Sequence, residues 1–427
     1  METKLYIEGG TQLNGTIAID SSKNALLPII AGTILTNGVT TLKNVPHISD
    51  IENLLKILVS LGIKSRFSNG NLEIDTRDIK YNSVDNEAAK KIRGSIFILG
   101  AIIARFGMAS ITYPGGCAIG SRPIDLHLQA LRDLGISIDE KSGIITCKRK
   151  KSKDTDIYLD FASVGATENV ILASALGTKR VRIINAAREP EVEDLCNFLN
   201  SCGAAICGQG TSTITIQGVK SLNACTYTAI PDRINTGSYL IAAAACGGEV
   251  TLTNTIPHHN ANLISKLKKS GCDIFCSGNT ICIKSSGRLK ALGTIHTATY
   301  PGFPTDLQSQ IAVLSCICHG TTTITENLFE SRFRYVPELT KIGARICQKD
   351  KSIIIRGVKE LAPSNLYAHD LRGGVSLVIA ALLSHGKSVV HNAEYVYRGH
   401  QAIEKDLVAL GSNIIRVDET DNPKAYK

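Results

Sequence analysis

In PGGCAIGSRPIDLHLQALRDLG, residues 114–135, Cys117 follows two glycines and stands five residues before Arg122. A thiol can act as a nucleophile, or as an acid while it keeps its proton. An arginine offers a planar fork matched to phosphate or carboxylate. The glycines would let the segment close over a ligand, and GGC is poor core sequence. Pattern alone therefore leaves Cys117 evenly balanced between a reactive loop thiol and one more core cysteine. Three other places carry comparable groups. DSSKNALLP, 20–28, puts Lys23 and Asn24 at a helix start, where a plain N-cap with a solvated lysine is the simpler reading and an anion site the functional one. YPGFPTDLQSQ, 300–310, uses two prolines and a glycine to set Asp306 at the head of a helix, where capping is the commoner role. Arg332 in FESRFRYVPEL, Arg372 in AHDLRGGVSL and Arg398 in YVYRGHQ form a basic group in the second half; any one such arginine is more commonly a surface charge or local ion pair.

Other chemistries find little support. No GxxxxGK[ST] is present, no GxGxxG follows a strand pattern, and GQG at 208–210 is too short for a phosphate loop. The 10 histidines include no HExxH, so no metal and no cofactor is expected. The 13 cysteines contain no CxxC pair, and Cys196, Cys246, Cys316 and Cys318 lie in apolar segments, as small hydrophobes do in a reduced chain. The net charge of +9 is spread along the sequence, which argues against a nucleic-acid partner, and KRKKSKD, 148–154, reads as an exposed turn between strands. Apolar runs such as IFILGAIIA, 96–104, fall well short of the ~20 residues that span a bilayer. A chain of 427 residues with 43% hydrophobic and 20% charged residues is thus expected to be a soluble, cytoplasmic protein of two or three domains, with no membrane and no obligate protein partner.

The elements that must position these groups repeat. Apolar runs end in TNG (Gly38), RFG (Gly107), ALG (Gly177), ACG (Gly247), CHG (Gly320) and SHG (Gly386), spaced 69, 70, 70, 73 and 66 residues apart, and a strand-like segment follows each. A second series keeps the same beat at Gly62, Gly135, Gly203, Gly271, Gly343 and Gly411. One unit of about 70 residues, built as buried helix, glycine cap, strand, amphipathic helix, glycine cap and strands, is therefore predicted six times over. The fold class is α/β, with two lobes of three units each. The first lobe would span 22–230 and carry the Cys117 loop; the second would combine 1–21 with 231–427 and carry Asp306 and Arg398. Two chain crossings would make a hinge, and a cleft between the lobes is the expected site.

Taken in order, SKNALLP (22–28), IRGSI (92–96), PGGCAIGSRPIDLH (114–127), SVGATEN (163–169), NAAREPEVEDL (185–195), PDRINTG (231–237), FPTDLQ (303–308), DLRGG (370–374) and RG (398–399) resemble the UDP-N-acetylglucosamine enolpyruvyl transferase family over essentially the whole chain. The resemblance implies a two-lobed, inside-out α/β barrel with three repeats per lobe. It implies transfer of the enolpyruvyl group of phosphoenolpyruvate to the 3-hydroxyl of UDP-N-acetylglucosamine, with release of phosphate, in the first committed step of peptidoglycan synthesis. Cys117 would be the general acid toward the methylene carbon and Asp306 the base near the sugar hydroxyl, with Lys23, Arg122 and Arg398 meeting the anionic substrate. Asn24, Arg93, Leu328, Arg332, Asp370 and Arg372 match further substrate-contacting positions. Arg122, Pro123, Ile124, Asp125 and Leu126 match the uridine strip, and Ser163, Val164 and Gly165 match a segment around the diphosphate. The sequence departs from the family at Asn235, where an acid is common, and at Tyr395 and His400, where histidine and tyrosine are usual. An enolpyruvyl transferase of the same architecture acting on shikimate-3-phosphate or a different nucleotide, and a non-catalytic UDP-sugar sensor, are the alternatives; the RPIDL strip and the thiol weigh against the shikimate enzyme, and the presence of Lys23, Cys117, Asp306 and Arg398 against the sensor.

Overall fold

A computed structural model describes residues 2–80, 84, 86–115, 120, 124–150 and 153–419. Cys117, Arg122 and Pro123 lie outside the described residues. Two kinds of helix alternate along the chain. Helices such as Lys23–Gly32 and Leu371–Leu383 are mostly apolar and buried on nearly every side, with their polar residues gathered toward their N-terminal halves. Ile96–Phe106, Val164–Ser174, Arg233–Cys246 and Gln308–Ile317 are likewise mostly apolar and buried. The second kind is amphipathic. Ser49–Ser60 buries Ile51, Leu54, Leu55, Ile57 and Leu58 and leaves its other face to water, because these positions recur on one face of a 3.6-residue helix. Each inner helix leads into a strand, an outer helix and two or more further strands, except that a single strand, Asn413–Glu419, follows the last outer helix.

The glycines of the second series have a specific conformational task. In the 20–230 stretch, Gly62 follows the helix Ser49–Ser60 at φ 77°, its N–H bonds the carbonyl of Val59, and the next N–H, of Ile63, bonds that of Leu58. The same two-bond closure recurs at Gly203, Gly271, Gly343 and Gly411, where the left-handed backbone would strain any residue with a Cβ. The first series keeps the predicted cap at Gly107 and Gly247, which follow their helices directly, and departs from it at the other four. The helices before Gly38, Gly177, Gly320 and Gly386 stop two or more residues earlier, and these glycines instead turn the chain into the strand that follows. The basic run is also corrected. Lys148 and Arg149 close the strand Ile144–Arg149, and the period-two alternation that buries Ile145 and Cys147 brings Arg149 inward, where it donates to the carbonyl of Ala173.

The sheets share one plan. Val39–Lys43 pairs antiparallel with Asn71–Asp75, which pairs with Lys64–Ser68, while Thr226–Thr228 lies parallel on the other edge. In the last repeat the N-terminal strand Glu2–Gly9 fills the inner position, antiparallel to both Gly386–His391 and Asn413–Glu419. Leu13–Ala18 then runs parallel to Gly248–Thr253. The start of the chain is thereby built into sheets of the far half. By internal contacts the described residues form two compact units, one holding most of the chain from Asp20 to Ile230, the other the N-terminal strands through Ile19 together with the chain from Pro231 onward. Each has its own apolar core.

Candidate active site

In the 20–230 unit, Ser22 caps the helix Lys23–Gly32 by accepting from the Ala25 N–H at 3.4 Å, and this sets Lys23 at the first helical position. Lys23 is not the solvated lysine of the simpler reading. Its ammonium lies 3.3 Å from Asp50, and the side chains are only 12% and 6% exposed. Asn24 follows on the same turn, half-buried, and Arg93 opens the short turn Arg93–Ser95, which Ser95 braces by bonding the carbonyls of Ala89 and Ile92.

The described part of the strip expected to take the uridine and the segment expected around the diphosphate meet in this unit. Ile124 is buried at the entrance to the helix Asp125–Asp133, Asp125 is exposed, and Leu126 packs against the core. The next residue, His127, is buried and its Nδ1 lies 2.9 Å from the amide of Asn169, which also holds the carbonyl of Ile96. The imidazole presses on Gly165, where an added Cβ would stand 2.7 Å from Cε1, so only glycine fits. Ser163 caps the helix Val164–Ser174 by accepting from Ala166 N–H, leaving Val164 and Gly165 at a helix N-terminus, where partial positive charge favours an anion. One turn on, Glu168 is buried with neither oxygen partnered; burial, with the carboxylates of Glu191 and Glu189 near it, pushes its carboxyl well above the usual range.

In the other unit, the turn Thr305–Leu307 places Asp306 ahead of the helix Gln308–Ile317. Asp306 makes no side-chain cap there. Its Oδ1 accepts from Arg332 at 2.7 Å and its Oδ2 from Arg372 at 3.0 Å. The two guanidiniums are 3% and 4% exposed, so these are not surface charges; Asp306 is 27% exposed and keeps access to solvent. Asp370 caps the helix Leu371–Leu383 through the N–H groups of Arg372 and Gly373, which sets Arg372 in place. Arg398 ends the turn Ala393–Arg398. The departure at Asn235 falls beside it: the Asn235 amide donates to the carbonyl of Gly399 at 3.0 Å, a bond for which a carboxylate has no proton. His400 stacks edge-on against Tyr239 at 5.9 Å. Among the described residues no group of three or more histidines, cysteines or carboxylates is placed to hold a metal ion, and no helix is long and apolar enough to cross a membrane.

Sequence reasoning missed Glu326. It is 2% exposed, and its carboxylate accepts from the Thr297 hydroxyl, the Thr305 hydroxyl and the N–H of Leu328 at 2.9 Å each, and from the N–H of Phe329 at 3.2 Å. It therefore ties the turn bearing Asp306 to the loop bearing Leu328 and leading to Arg332. A signal was present in the repeats: the strands before Asn44, Asn185, Asn254 and Asn392 run into an asparagine in the left-handed region, and TTTITEN puts Glu326 at that place. Glu326→Gln keeps the size but turns an acceptor into a donor, so at least one buried donor loses its partner. Turnover is expected to fall roughly tenfold to a hundredfold through displacement of Asp306, and stability by about 2 kcal/mol. Steady-state kinetics beside urea unfolding checks this; wild-type values for both would refute it.

Comparison with known proteins places this geometry. The family described as EPSP synthase (3-phosphoshikimate 1-carboxyvinyltransferase) matches residues 7–407. UDP-N-acetylglucosamine 1-carboxyvinyltransferase 2 of Caldanaerobacter subterraneus subsp. tengcongensis is 46% identical over 97% of this chain and 99% of its own. UDP-N-acetylglucosamine 1-carboxyvinyltransferase of Dichelobacter nodosus is 40% identical over 97% and 99%. Among solved structures, the enolpyruvyl transferase NikO from Streptomyces tendae superposes with a TM-score of 0.87 at 23% identity, covering 97% of this chain and 99% of that one. EPSP synthase from Acinetobacter baumannii does so with a TM-score of 0.76 at 19% identity, covering 98% and 100%. The two-unit α/β architecture is thus that of enolpyruvyl transferases, and the chain belongs to the EPSP synthase family and, within it, to the UDP-N-acetylglucosamine 1-carboxyvinyltransferases.

Proposed function

We propose that this protein transfers the enolpyruvyl group of phosphoenolpyruvate to the 3-hydroxyl of UDP-N-acetylglucosamine and releases phosphate, the first committed step of peptidoglycan synthesis, in the cytoplasm and without a cofactor. The observation that carries the reading is Asp306, a part-exposed carboxylate held at 2.7 and 3.0 Å between two buried guanidiniums in a chain 46% identical to such an enzyme over almost its full length. As the sugar hydroxyl attacks C2 of the enol it must lose a proton, and C3 must gain one. Asp306 takes the first and Cys117 supplies the second; C3 of the tetrahedral intermediate then returns a proton to the Cys117 thiolate as the C2–O bond to phosphate breaks, the sugar oxygen stays bound to C2, and the proton on Asp306 leaves with the phosphate. Lys23, Arg122 and Arg398 offset the phosphate and carboxylate charge. Asn24, Arg93, Leu328, Arg332, Asp370 and Arg372 complete the substrate contacts, the strip from Arg122 to Leu126 takes the uridine, and the helix start at Ser163, Val164 and Gly165 the diphosphate. We also read each unit as an inside-out α/β barrel, a reading supported by inner helices that are buried on nearly every side.

The test is release of phosphate from phosphoenolpyruvate by purified protein. Release is expected with UDP-N-acetylglucosamine and not with shikimate-3-phosphate; equal release with both, or none with either, would sink the reading. For the acid, Cys117→Asp is expected to retain turnover, since a carboxylic acid can still donate a proton, and Cys117→Ala to lose it. The epoxide fosfomycin should add to the wild-type thiol, seen as a mass increase at the Cys117 peptide; a fully active alanine variant would take Cys117 out of the mechanism.

A further inference from the structure

Two cysteines that the proposed reaction does not use lie side by side in the 20–230 unit. The Sγ atoms of Cys202 and Cys225 are 3.4 Å apart. Cys202 follows the helix Pro190–Ser201 and is 1% exposed; Cys225 precedes the edge strand Thr226–Thr228 and is half-buried. Their backbones are already fastened together. The Asn223 N–H donates to the carbonyl of Cys202 at 2.8 Å, and Asp194, on the same helix as the approach to Cys202, accepts from the Tyr227 hydroxyl at 2.6 Å and from the Ile230 N–H at 3.0 Å. A disulfide needs the sulfurs at about 2.05 Å, so a closing movement of roughly 1.4 Å is required, within reach of side-chain rotation about fixed backbones.

We propose that Cys202 and Cys225 form a peroxide-oxidisable dithiol that closes reversibly into a disulfide. Cys225, the accessible member, is the sulfur attacked. Its thiolate takes an oxygen from a hydroperoxide such as hydrogen peroxide, giving the sulfenic acid and, after proton uptake, water. The Cys202 sulfur then displaces the sulfenic hydroxyl, forming the S–S bond and losing its proton to the departing oxygen as a second water. Two thiols and one peroxide thus give one disulfide and two waters. The division of labour fits the pair's own chemistry: the sulfur–sulfur contact lowers the Cys225 thiol from its ordinary value and raises Cys202, which burial raises further. In a reduced compartment such a bond is transient and reports oxidant, and a thiol donor reopens it. It would staple the helix ending at Ser201 to a segment that continues to Ala229 and Ile230, whose carbonyls accept from the Ser21 hydroxyl and the Ser22 N–H, directly before Lys23.

The experiment uses the reduced full-length protein treated with hydrogen peroxide, blocked with N-ethylmaleimide in denaturant and mapped by non-reducing proteolysis and mass spectrometry. The expected result is a Cys202–Cys225 linked peptide, lighter by about 2 Da than the sum of the two thiol peptides, that dithiothreitol splits again. In Cys202→Ser the reaction should stop at a sulfenic acid on Cys225 that dimedone traps. Exposed Cys207, Cys276 and Cys347 serve as internal standards for oxidant dose. Both thiols of the pair still carrying maleimide once those standards are oxidised, or Cys225 linked to a different cysteine, would overturn the proposal.

Discussion

Asp306→Asn is expected to slow phosphate release at least about a hundredfold, the range for removing a positioned general base. The amide matches the carboxylate in size but carries one acceptor instead of two. Set between Arg332 and Arg372, it must turn its NH2 toward one guanidinium, so either the 2.7 Å or the 3.0 Å bond is replaced by a meeting of two donors. Part of the loss is therefore positional. The two parts separate in a pH profile: loss of the base alone removes the acidic limb of the kcat curve and leaves KM for phosphoenolpyruvate nearly unchanged, whereas displaced arginines raise KM. A variant with wild-type kcat would show that the hydroxyl proton leaves by another route.

Lys23→Met is the second large effect. The methionine keeps the length of the side chain and deletes its charge, leaving Asp50, 6% exposed, without the ammonium 3.3 Å away. Taking one charged hydrogen-bond partner from a carboxylate held out of water costs about 2 kcal/mol. Activity should fall by roughly a hundredfold as well, through loss of a cation beside an anionic substrate. Adding Asp50→Asn distinguishes the two. The double variant is expected to recover most of the lost stability in urea unfolding and none of the lost turnover. Recovered turnover would assign Lys23 a purely structural role.

Much of the architecture could be read from residue types. Glycine at Gly62, Gly203, Gly271, Gly343 and Gly411 marks helix ends because the left-handed backbone is a local demand, met within a few residues of chain. The two helix classes are likewise local, since a stripe of apolar residues or a mostly apolar helix says which sides must be covered. The first glycine series was harder, because a helix followed by a short extended stretch and a helix that ends at glycine have nearly the same composition. Arg149 was misread for a related reason: a run of basic residues gives no sign that strand alternation will turn one of them inward.

By itself, then, the sequence determined the repeated helix and strand units, their glycine closures and the places where reactive groups interrupt core patterning, all of which rest on short-range backbone and burial preferences. Only the tertiary structure decided the pairings. Arg372 reaches Asp306 across 66 positions, the Asn235 amide reaches Gly399 across 164, and the Glu326 carboxylate collects donors from three separate segments. Such partners are chosen by how inner helices of different repeats pack, and a buried charge accepts whichever donors that packing delivers. The same holds for Cys202 and Cys225, whose separation of 3.4 Å comes from one helix end meeting one edge strand and leaves no trace in their spacing.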